Sequence, residues 1–136
     1  MAFPKPQPGL VISYVYLWHR EQQVGREEGV KDRSCVVILT ALSAADGTTM
    51  VRVAPVTRSL PDNLATVIEL PQAVKRHLGL DGNRSWIVVD EMNEFTWPGF
   101  HLCPVPGSRD TFSYGLLPPR LFNAVIAKLI EVWTDG

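Results

Sequence analysis

The sequence predicts an α+β domain in which a small, curled antiparallel sheet or barrel is covered by one C-terminal helix. Three observations predict it. Short segments rich in β-branched and aromatic residues recur along the chain, as strands of an antiparallel sheet do. Asp46-Gly47 lies between the apolar runs 35–42 and 50–56, and such a dipeptide reverses a strand into its neighbour. Near the C-terminus, apolar residues at 121, 122, 125, 126, 129, 130 and 133 follow helical spacing and suit packing on a sheet. At 136 residues, with 46% hydrophobic and 20% charged residues, the chain fits a single domain spanning 1–136 with its own core.

Taken in order, residues 1–8 carry three prolines and read as an extended N-terminal arm. Val11 to Trp18 forms a first strand. The stretch from His19 to Asp32 is a polar loop with two glycines, long enough to carry function. Strands 34–42 and 50–57 make the central hairpin, and Arg58 to Leu64 is turn-rich. Residues 65–70 read as a further strand. Pro71 opens a short helix, 71–78, in a position where its missing N–H costs nothing, and Gly79 ends it. Ser85 to Asp90 is a fifth strand, extending toward Phe95. Residues 96–119 hold three of ten glycines and five of eleven prolines, and are expected to be a long irregular connection.

Composition narrows function mainly by exclusion. A net charge of −1 argues against a general nucleic-acid coat, though Arg26, Lys31, Arg33, Arg52 and Arg58 leave room for a local basic groove. Lys75, Arg76 and Arg84 form a second cluster. Cys35 and Cys103 make no metal-ligand spacing, so no metal and no cofactor are expected. The N-terminus has no apolar run suited to a signal peptide and no stretch reaches membrane-spanning length. A cytoplasmic location without membrane contact is the expectation.

The hairpin concentrates the chemistry. With the turn near 45–49, Arg33 at the start of one strand and Thr57 at the end of the next lie close together at the open end. A guanidinium beside a hydroxyl offers a fixed cation, a forked donor and one adaptable donor, which suits phosphate. Trp18, at the edge of the polar loop, is placed to stack on a base. The histidines, His19, His77 and His101, are scattered. Trp86 and Trp133 sit on apolar periodic stretches and read as core.

These segments also resemble a family, the MazF/PemK-type toxins of bacterial type II toxin–antitoxin systems. The resemblance rests on Pro8-Gly9-Leu10-Val11-Ile12, on Lys31-Asp32-Arg33-Ser34-Cys35-Val36-Val37, and on Pro55-Val56-Thr57, in that order over about residues 8–95. The sequence departs from the pattern at Ser34, where a proline is expected, and at Leu10, where an acidic residue is. The resemblance implies an SH3-like barrel with a C-terminal helix, shared with CcdB-type toxins. It also implies a growth inhibitor acting as a metal-independent endoribonuclease on single-stranded RNA, a homodimer, and a cognate antitoxin protein. Arg33, Thr57 and Glu28 become the expected catalytic groups, with Arg33 in the acid–base and charge-stabilising role. Trp18, Lys31, Arg58 and Ser59 are the expected substrate-binding set. Two alternatives share the fold: a CcdB-like toxin that binds DNA gyrase through a C-terminal aromatic tail, here Trp133 to Gly136, or a non-catalytic interaction module.

Overall fold

In a computed structural model, which describes residues 3–15, 32–59, 62–98 and 102–134, the chain forms an antiparallel sheet with a helix at its C-terminal end. Strand β1 spans Leu10–Val15, β2 Asp32–Leu42, β3 Thr49–Thr57, β4 Val67–Glu69, β5 Trp86–Val88, β6 Asn93–Thr96 and β7 Ser113–Leu116. Helix α1 is Gln72–Leu78 and α2 is Pro119–Thr134. The strands run β4-β5-β3-β2-β1-β7, with β6 also paired to β3. Every pairing is antiparallel. Among the described residues no pairing joins β4 to β7, so the sheet is open.

Both faces of the central strands are buried, which is why 35–38 reads as an uninterrupted apolar run. Cys35 and Val37 point with Ile12, Tyr14, Val51 and Val53 into one core layer, closed by Leu102 and Phe112. Val36 and Ile38 point the other way, with Val11, Ala54, Val56 and Ile87, toward α2. Val125 of α2 is fully buried there. Trp133 anchors the far end of α2 by donating its indole N–H to the Val89 carbonyl at 2.7 Å. The ring is nevertheless 53% exposed, so it is a clasp at the rim rather than the core residue that the periodicity predicts. Trp86 is buried as expected.

Three elements differ from the sequence reading. The segment expected to be one strand over 65–70 begins as a single 3-10 turn at Leu64–Thr66, and only Val67–Glu69 is extended. The Asn63 side chain accepts from the Ala65 N–H at 3.0 Å and stabilises that turn. The fifth strand stops at Val88, and a separate strand, β6, follows. The connection over 96–119 is not irregular throughout, because β7 lies inside it and pairs with β1. Leu102 bridges Tyr14, and the Cys103 N–H donates to the Ser13 carbonyl at 3.0 Å. The described part of this connection, from Leu102 to β7, therefore borders β1 along its outer edge. Glycine-rich composition hid this, since β7 uses Gly115 at φ 129, a backbone state open to glycine. Helix α1 ends where expected, with Gly79 left-handed at φ 74.

Candidate functional site

The register of the central hairpin decides what meets at its open end. Next to the turn the partners are Leu42↔Thr49, Ala41↔Met50 and Thr40↔Val51. Carried straight down, that register sets position 33 opposite 58. A bulge between Val37 and Leu39 shifts it, and below the bulge the partners are Val37↔Val53, Val36↔Ala54 and Cys35↔Pro55. The ladder ends at Cys35↔Pro55, and continuing its register two residues would set position 33 opposite 57. The extra residue, Ile38, thus changes both the partner and the face, because strand side chains alternate with a period of two.

Thr57 is 9% exposed. Its Oγ1 accepts the Ser59 N–H at 3.1 Å, which folds the chain into a tight turn directly after β3. The hydroxyl keeps its proton for another acceptor. On the other side Thr57 pairs with Trp86 of β5. The Arg84 guanidinium lies 5.2 Å from the centre of that indole and makes two 2.8 Å bonds to Glu69.

A cleft of about 840 Å³ opens beside this end of the hairpin. Ser34 of β2, Val56 of β3, and Arg58 and Ser59 just after it line one part of it. The end of α1 and the loop after it supply Lys75, Leu80, Asp81 and Ser85. The insertion supplies Val105, Pro106 and Tyr114. Thr57 does not line it, as alternation requires when Val56 does.

Charge in the cleft is arranged around Asp81. Its carboxylate takes the Lys75 ammonium at 3.0 Å and the Arg58 guanidinium at 3.3 Å. The Lys75 hydrogen bond is the main reason the carboxyl is held below its usual range. Burial opposes it, and the Asn83 N–H, the Lys75 charge and the Arg58 charge add to it. Lys75 itself is buried, its side chain only 2% exposed. Besides Asp81 it donates to the Ser85 hydroxyl at 2.7 Å and to the Asn83 carbonyl. A buried ammonium is tolerated because its three protons all have acceptors. With two cations on one carboxylate, the cluster carries a net positive charge.

The structure thus gathers Arg58 and Ser59 at one cleft and sets Thr57 on the opposite face of the same strand end. Arg33 belongs to β2 by its backbone, and its side chain lies outside the described residues, as do Trp18, Glu28 and Lys31. Of the second positive cluster, Lys75 is buried and lines the cleft, and Arg84 pairs with Glu69. The signal for Lys75 was the turn chemistry of Asp81-Gly82-Asn83 straight after a helix-ending glycine, which brings several oxygens together. His77 is exposed on α1. Among the described residues no three His, Cys, Asp or Glu side chains group as metal ligands. No helix among them is long and apolar enough to cross a membrane. No family model and no curated protein matches this chain.

Proposed function

We propose that this protein is a metal-independent endoribonuclease of toxin type, built on a curled sheet of the SH3-like kind and acting on single-stranded RNA. The observation that carries the reading is the bulge-shifted register, which, continued two residues past its last pair Cys35↔Pro55, would bring position 33 opposite 57 beside a cleft with surplus positive charge. In the reaction the 2′-hydroxyl loses its proton and its oxygen bonds to the neighbouring phosphorus. The bond to the 5′-oxygen breaks, and that oxygen takes up a proton. The products are a 2′,3′-cyclic phosphate and a 5′-hydroxyl. The Arg33 guanidinium would stabilise charge building on the phosphoryl oxygens and supply the proton to the departing oxygen. Removing the first proton suits a carboxylate better than a guanidinium, which stays charged below about pH 12. Glu28 is the candidate for that step. Thr57 would donate its hydroxyl proton to a phosphoryl oxygen.

A homodimer with an RNA groove between two such hairpin ends, and an antitoxin laying an acidic segment in that groove, complete the proposal. The test is incubation of the purified protein with single-stranded RNA in excess chelator, followed by analysis of the new ends. Cyclic phosphate and 5′-hydroxyl ends are expected. RNA left whole in chelator, and cut only when Mg²⁺ is added, would overturn the proposal.

A further inference from the structure

The cleft has features that phosphate binding at positions 33 and 57 does not use. It lies on the opposite face of the strand end, and its apolar lining comes from β3, from the end of α1 and from the 96–119 connection. Val105, Pro106, Val56, Leu80 and Tyr114 all line it. Arg58 keeps a 62% exposed side chain and a single 3.3 Å contact to Asp81. Ser34 and Ser59 line the same space. A cleft that mixes apolar side chains with a cation and serines suits one nucleotide, its base against the apolar part and its phosphate near Arg58.

We infer that this cleft is a nucleotide subsite, holding the unit next to the scissile bond of a single-stranded RNA. The base lies against the apolar lining, and the phosphate draws Arg58 away from Asp81. Lys75 stays with Asp81 and keeps the wall in place, so the exchange leaves no buried charge unpaired. The RNA strand then crosses the open end of the hairpin, with one phosphate on the 33/57 face and the adjoining nucleotide on the cleft face. The inference rests on the ribonuclease reading for the identity of the strand. The part of the 96–119 connection that lines the cleft, Val105, Pro106 and Tyr114, becomes a determinant of which base is accepted.

The experiment is calorimetric titration of the full chain with a 2′-O-methyl single-stranded oligonucleotide, which lacks the attacking hydroxyl. Inorganic phosphate, nucleosides and nucleoside monophosphates are the comparison ligands, and RNA cleavage is assayed on the same variants. Arg58→Ala is expected to weaken oligonucleotide binding by about tenfold or more and to lower its salt slope by about one. Pro106→Trp, which adds bulk at the wall without removing charge, is expected to weaken oligonucleotide and monophosphates alike. Monophosphates should bind better than phosphate or nucleosides, and the oligonucleotide better still. Binding that both variants leave unchanged overturns the subsite, whether or not the protein cleaves RNA. Phosphate competing as well as monophosphates overturns the base slot, and monophosphates binding while the oligonucleotide does not overturns the assignment to an RNA strand. A chain that binds the oligonucleotide through Arg58 yet never cleaves RNA retains the subsite and loses the nuclease.

Discussion

The two ends of the β2–β3 hairpin are built on different principles. The turn end is local. Asp46 accepts the Thr48 N–H at 3.0 Å and the Thr48 hydroxyl at 2.7 Å, and Gly47 takes φ 72. The open end is held from a distance. Arg58 reaches Asp81 across 23 residues, and Lys75 binds Asp81 and Ser85 from α1. The turn is exposed and closes on itself, whereas the open end has a buried cation and a cleft. Local chemistry sets where the chain reverses, and long-range contacts decide what the other end can bind.

Removing the long-range support should cost most in stability. Lys75→Met keeps the volume but leaves the Asn83 carbonyl and Ser85 hydroxyl without the ammonium. Urea unfolding is expected to show a loss of about 2–3 kcal/mol, toward the low side because Asp81 still reaches water. Thr57→Val separates the chemical part of the open end from its folding part. A lost hydrogen bond to a charged phosphate is expected to lower the cleavage rate at least about tenfold. The lost Ser59 contact should lower stability by only about 1 kcal/mol. An unchanged rate would leave Thr57 a turn residue alone.

The Asp81 contribution should depend on acid. Its folded carboxyl lies below the ordinary range, so the unfolded chain takes up the proton first as pH falls. The stabilisation is therefore complete above about pH 5 and lost as pH drops below about 4, past the unfolded carboxyl's value. Comparing the stability of Asp81→Asn with wild type across that window should show the gap closing toward acid. A gap that stays constant would contradict the Lys75 bond as its source. The smallest effect is expected at the turn. Gly47→Ala meets no atom within 4 Å, so only its left-handed backbone is strained, by about 1 kcal/mol. Cleavage per folded molecule should not change.

What could be read from the sequence follows the same division. The Asp46-Gly47 turn, the strands either side, the Gly79 cap and the final helix are set by neighbours in the chain, and all were legible. At the open end the sequence offered only an expected juxtaposition of positions 33 and 57, and the register that leads toward it depends on the bulge at Ile38, which no local pattern marks. Lys75 was hidden because its partners follow it through a turn that gathers oxygens around it. The strand in the insertion was hidden because Gly115 and the prolines around it look like loop until β1 is present as a partner. An arginine and threonine motif could suggest phosphate, but the cleft on the opposite face needed three separate segments to be assembled.

The central claim, that the open end of the hairpin is the catalytic end, is tested most directly at Arg33. Rates of RNA cleavage in chelator should be measured for wild type, Arg33→Ala and Arg33→Lys, with folding checked by thermal melting. Wild type is expected to cut, Arg33→Ala to be nearly inactive, and Arg33→Lys to be severely impaired because an ammonium lacks the planar fork. An Arg33→Ala protein that folds and cuts RNA as fast as wild type would contradict the account.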